Sequence, residues 1–235
     1  MRHAASLVAV ALAGLLWLQV SAQSRADEPG PFPSPSPSIV PAAGNGYVAV
    51  TFGTASSDGG QVPPSPGSTA TPAPFANATA RVFSLDLLGR ISDSYLAGLK
   101  FDGYAIHGND NPYVSYSQGS VLYNVRATNL ALGLGYLSLQ RSSSSVSLNG
   151  GGLGVELLPR FRSGSSVYGS AFFYPHLTSN GTTASVTSLE AGILFSPPRR
   201  GGFFYRAGAF LKNVGGSKFS PQQISGLNVG VGASF

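Results

Sequence analysis

The sequence predicts an all-β chain: an up-and-down antiparallel transmembrane β-barrel of ten strands, with eight strands as the alternative. Three observations lead there. Only 10% of the 235 residues are charged, where a soluble domain carries about 25%. From Gly46 onward apolar and polar residues alternate with period two, in runs bounded by Gly, Ser, Asn, Asp and Pro. Beyond the N-terminal apolar run, no stretch is long and apolar enough for a spanning helix, which needs about 20 residues. The chain is 43% hydrophobic with 31 Gly and 17 Pro, too apolar for a disordered tail and too turn-rich for a helical bundle. It has no Cys, which excludes a disulfide scaffold, a Cys-linked lipid anchor, thiolate catalysis and thiolate metal sites. The net charge of +5 comes from 14 basic and 9 acidic residues. The basic ones are scattered, so no nucleic-acid patch exists.

Taken in order, Arg2 and His3 precede an apolar run from Leu7 to Leu18 and the small residues Val20-Ser21-Ala22. That arrangement predicts a signal peptide over 1–22, with Ser24-Arg25-Ala26 as a second cleavage site. Losing Arg2 leaves 13 basic and 9 acidic residues, a mature charge of +4. Residues 23–45, with EPGPFPSPSPSIVP inside them, read as a periplasmic Pro-rich linker without core-forming residues. Residues 46–235 form the barrel. Its runs are 46–54, 79–89, 95–105, 113–126, 130–140, 151–159, 165–176, 184–196, 203–213 and 223–235. A second Pro-rich stretch, Ser56 to Pro74, reads as a long exposed loop. The other prolines fall at or near run limits, as the loss of a ladder donor requires. Joins at 90–94, 127–129, 160–164 and 197–202 are short, and the alternate joins are mostly longer. Short turns on one rim put both termini on the periplasmic side.

Parity then sorts the strands. Leu227, Val229, Val231, Ala233 and Phe235 share one face of the last strand, and Asn228, Gly230, Gly232 and Ser234 the other. Leu153, Val155 and Leu157 likewise oppose Glu156; Leu189, Ala191 and Ile193 oppose Glu190. A basic side chain on the lipid face at mid-bilayer costs about 2–4 kcal/mol. The strand charges are therefore expected in the lumen: Asp86, Lys100, Asp102, Arg126, Glu156, Glu190, Arg206 and Lys212, four of each sign. Arg81 shares parity with Phe83 and is the exception; near a loop it can snorkel. Phe52, Tyr95, Tyr104, Tyr113, Phe195 and Phe203 are expected in interfacial girdles. Arg90, Arg160, Arg162, Arg199 and Arg200 place positive charge on the short-turn rim.

With its alternating apolar residues Leu227, Val229 and Val231 before Phe235, the C-terminal strand resembles the assembly signal of small bacterial outer-membrane barrels, the OmpA-like and OmpX-like group. Ala233 departs from the pattern, since that position is frequently aromatic. The resemblance covers about 44–235. It implies a bacterial outer-membrane location, insertion by the barrel-assembly machinery and contact with outer-membrane lipid; a monomer is expected.

Two constellations resemble enzyme chemistry in outline only. His107 with Asp110 could activate water, as in ten-stranded omptin proteases, yet no second acidic pair accompanies them. His176 with Ser179 resembles the base and nucleophile of lipid A deacylases, but Thr178 stands at the matching spacing. Gly150-Gly151-Gly152 with Gly154 opens a strand and is no dinucleotide fingerprint; small residues easing barrel curvature account for it. Three His without Cys offer no transition-metal cluster. The expectation is a non-enzymatic barrel, without cofactor, metal or nucleic-acid partner, acting structurally or through its external loops. A narrow channel is the first alternative, a lipid-modifying enzyme or protease the second, and a soluble secreted β protein the fourth reading.

Overall fold

A computed structural model describes residues 46–58, 78–107, 113–125, 128–141, 146–161, 164–179, 181–197, 202–216 and 222–235. Ten strands carry almost all of them: β1 (Gly46–Asp58), β2 (Ala78–Arg90), β3 (Tyr95–Ile106), β4 (Tyr113–Asn124), β5 (Leu130–Arg141), β6 (Val146–Leu157), β7 (Gly164–Ser179), β8 (Thr182–Ser196), β9 (Phe203–Gly215) and β10 (Gln222–Ser234). Each pairs antiparallel with its sequence neighbour, and β1 pairs with β10 to close the barrel. Closure removes both sheet edges, so no described strand offers an unpaired ladder. The Gly46 N–H donates to the Phe235 carbonyl and the Phe235 N–H to the Gly46 carbonyl, each at 3.0 Å. Gly46 and Phe235 therefore share one rim.

The strands outrun the expected boundaries where Ser, Thr and Asn continue them. β1 extends to Asp58, β7 to Ser179, and β6 begins at Val146 rather than 151. Ladder bonds use the backbone, so polar side chains do not stop pairing. The predicted contrast between long and short joins shrinks accordingly. Only 59–77 is long; 107–112, 142–145, 180–181 and 216–221 hold six residues or fewer, no more than the joins of the opposite rim. Just before β8, Gly181 stands at φ +77°, a conformation glycine adopts without a steric penalty.

Pro175 is a second correction. It sits inside β7, not beside its end, and the pairing with β8 shifts register between Tyr174 and Leu177. A bulge is where a strand can carry a residue with no N–H to donate. It also resets parity, so that Tyr174 and Leu177 are both fully buried.

Outward parity holds along most strands. Leu134, Leu153 and Leu227 are each about two-thirds exposed on the outer wall, at 65%, 65% and 67%. Leu157 departs from its predicted face and is buried, because the chain leaves the sheet there; the Leu158 N–H donates to the Asn129 carbonyl at 2.6 Å. Tyr104 is also corrected. It is 1% exposed inside the barrel, sharing parity with Lys100 and Asp102 rather than with the outward Tyr95.

Candidate functional site

The lumen is built in three levels, and its middle level holds the ionic residues. Arg206 on β9 is the hub. Its Nη1 donates to Asp86 Oδ2 at 2.9 Å and its Nη2 to Glu190 Oε1 at 2.5 Å. Its Nε donates to the Tyr168 hydroxyl at 3.3 Å, with the guanidinium 4.3 Å from that ring's centroid. Asp86 also accepts from the Tyr47 hydroxyl at 3.1 Å, and Glu190 from Asn228 Nδ2 at 3.3 Å. Lys100 on β3 forms an ion pair with Glu190 on β8. Those strands lie five places apart around a ten-strand ring, so the pair joins opposite walls.

A second cluster stands beside the first. Lys212 pairs with Asp102 at 2.7 Å, donates to Ser188 Oγ at 2.9 Å and lies 5.1 Å from the centroid of the Tyr116 ring. Toward the loop-side rim, Arg141 Nη2 donates to Gln222 Oε1 at 2.5 Å, and Gln222 Nε2 to Ser57 Oγ at 3.1 Å. In a low-dielectric interior such charges persist only when paired and hydrogen-bonded. Glu156 is the member without an ion pair among the described residues. It lines a cavity of about 30 Å³ together with Asp86, Lys100, Glu190, Arg206 and Tyr168, space on the scale of a water or two. Arg126 lies outside the described residues, as do Asp110, Arg162, Arg199, Arg200 and everything before Gly46, including the segments read as signal peptide and linker.

Apolar layers close both ends of this network. On the termini side Tyr47, Leu88, Leu96, Leu122, Leu194 and Phe204 are buried. The turn after β6 adds Leu158 and Phe161, whose ring packs on Phe204 at 5.2 Å and Tyr47 at 5.6 Å between centroids. On the loop side Tyr104 meets Tyr116 edge-on at 5.6 Å and Phe210 at 5.8 Å, with Leu139, Leu148, Val214 and Ile224 fully buried around them. Phe172 and Tyr174 stack at 6.0 Å over the inner wall of β5 and β6. The glycines there are close-approach positions, beyond the curvature expected of them. A Cβ on Gly152 would collide with Tyr174 Cδ1, and one on Gly154 with Phe172 Cδ1.

These layers were not expected from the strand pattern, which placed apolar side chains outside and polar ones inside. A signal was available in the runs Leu87-Leu88, Ile193-Leu194-Phe195 and Phe203-Phe204-Tyr205. Consecutive apolar residues in a strand mean burial or lipid on both faces.

The remaining candidates are dispersed. His107 is exposed just past β3, and His176 is exposed on β7 at the bulge, four strands away. Ser179 ends β7 and pairs with Thr182, so the 176–179 segment is ladder rather than loop. No group of three potential metal ligands occurs among the described residues. Leu227, Val229, Val231 and Phe235 lie exposed on the outer wall of the closing strand.

No protein-family model matches the chain and no curated protein matches its sequence. Among solved structures it is similar to Neisserial surface protein A, with 13% identity, 82% of this chain and 98% of that one covered, and a TM-score of 0.42. It is also similar to an outer membrane channel from Pseudomonas putida F1, with 11% identity, 87% and 100% covered, and a TM-score of 0.41. The Ail attachment invasion protein of Yersinia pestis has 14% identity, 81% and 99% covered, and a TM-score of 0.29.

Proposed function

We propose that this chain is a sealed, non-enzymatic barrel of the bacterial outer membrane, with a structural or surface-interaction role exercised through its external loops. The observation that carries the reading is the filled lumen: apolar layers at both ends and ion pairs across the middle. A permeation path needs continuous water, and among the described residues the cavity lined by the ionic side chains holds only about 30 Å³. The outer wall supports the membrane part of the reading. Leu99, Leu132, Leu134, Leu153, Ile193 and Val229 are all more than half exposed, a surface that water would not stabilise. The dispersal of His107 and His176 supports the non-enzymatic part.

Single-protein recording in planar bilayers tests the seal: silent membranes are expected after verified insertion, and discrete conductance steps would overturn it in favour of a channel. Fractionation tests the location, with heat-modifiable migration from an outer-membrane pellet expected and recovery in the soluble periplasm counting against it. Turnover of lipid A or peptide substrates lost in His107→Ala or His176→Ala would restore the enzyme reading.

A further inference from the structure

The outer wall is not uniformly apolar: on six of the ten strands its outward side chains turn from apolar to polar toward the loop-side rim. On β10 Leu227 gives way to Ser225 and Gln223, and on β8 Leu189 to Thr187 and Ser185. On β5 Tyr136 is followed by Ser138 and Gln140, and on β1 Phe52 by Thr54 and Ser56. On β2 Phe83 is followed by Arg81 and Thr79, and on β9 Leu211 by Asn213. Aromatic rings mark both borders of the apolar part. Tyr95, Phe195, Phe203 and Phe235 lie toward the termini-side rim, and Phe52, Phe83 and Tyr136 lie where the polar collar begins.

The height of this belt follows from strand geometry. Leu130 to Tyr136 on β5 and Phe195 to Leu189 on β8 each span six residue steps, and Phe203 to Leu211 on β9 and Phe235 to Leu227 on β10 span eight; β3, non-polar from Tyr95 to Ala105, is the exception. At a rise of about 3.3 Å per residue and a tilt of about 40°, the belt is about 15–20 Å tall. The apolar band of outer-membrane barrels is about 25 Å.

We infer that this barrel fits a hydrocarbon layer of about 15–20 Å and therefore thins the bilayer around it; this rests on the membrane location proposed above. In a thicker layer the Ser and Thr collar and the Arg81 guanidinium would enter hydrocarbon. Local thinning spares those groups, and deforming lipid costs little per ångström. The partner it selects is short-chain or easily compressed lipid.

The test refolds the full chain into dilauroyl-, dimyristoyl- and dioleoyl-phosphatidylcholine vesicles and reads the urea midpoint of heat-modifiable migration. A second chain carries Thr54→Val, Thr187→Leu and Ser225→Leu, which raise the belt by about 5 Å on three strands. The expected result is a highest midpoint in dilauroyl vesicles for the native chain, moved to longer chains in the variant. Comparing the two removes any general effect of thickness on insertion. A native midpoint highest in dioleoyl vesicles, or an optimum unmoved in the variant, overturns the inference. Failure to enter any vesicle overturns the membrane location and the inference with it. Should the triple variant not fold, a single Phe83→Trp probe decides, since Trp17 is the chain's only tryptophan and falls in the predicted signal peptide. Quenching by lipids brominated near the headgroup is expected in dioleoyl vesicles; quenching by bromines deep in the chains overturns the thinning.

Discussion

The middle of the lumen and its two ends solve the same packing problem with different chemistry. The middle joins opposite walls through Arg206, Glu190, Lys100 and Asp86, groups whose desolvation offsets most of their mutual attraction. The ends use Phe204, Tyr104, Leu122 and their neighbours, whose burial stabilises directly. The difference teaches where each kind of substitution should hurt. A charge in the middle matters through the partners it leaves behind, while an apolar side chain at an end matters through the volume it vacates.

The sharpest way to break this comparison is Arg206→Ala. It leaves Asp86 without an ion pair and Glu190 with Lys100 alone, and a loss of about 3–5 kcal/mol is expected in urea unfolding from vesicles. Replacing the Lys100 and Glu190 pair together by Met and Leu should cost far less, because no charge is left unpaired. If the single and double changes cost the same, the network stabilises through its own attraction and the contrast fails. Phe204→Ala comes next, with about 3 kcal/mol expected. Bilayers should nevertheless stay silent, since the loop-side layer still closes the lumen. Gly152→Ala follows at about 1–3 kcal/mol from the collision with Tyr174; pairing it with Tyr174→Leu should recover part of the loss in a double-mutant cycle. The smallest effect is expected for Glu156→Gln. With no ion pair to break, the change should be within about 0.5 kcal/mol of neutral or stabilising, whereas Glu190→Gln, which loses two cationic partners, should be clearly destabilising.

Strand number and face were legible because a period of two over a dozen residues leaves little ambiguity. Boundaries were not. Ser56, Ser147 and Thr178 look like loop residues by type, yet each continues a ladder whose bonds belong to the backbone. Pro175 is expected near a strand end for the same reason, and a bulge lets the strand run past it. The inward parity of the ionic residues could be read strand by strand. Their partners could not, because Arg206 meets Asp86 across 120 residues of sequence and only barrel closure brings β2 and β9 within reach.

The sequence by itself determined that the chain forms strands, that one face of each is largely apolar, and that most strand charges, Arg81 excepted, take the other face. Those are local properties, set by residue type and alternation. Tertiary structure decided that the lumen is filled. Whether Leu88, Tyr104, Leu122 and Phe204 meet one another or line an open bore depends on the barrel's diameter and stagger, and those follow from how all ten strands register together. The sequence also left Glu156 one of eight equivalent inward charges; the closed barrel gave the others described their ion-pair partners and left it facing a cavity.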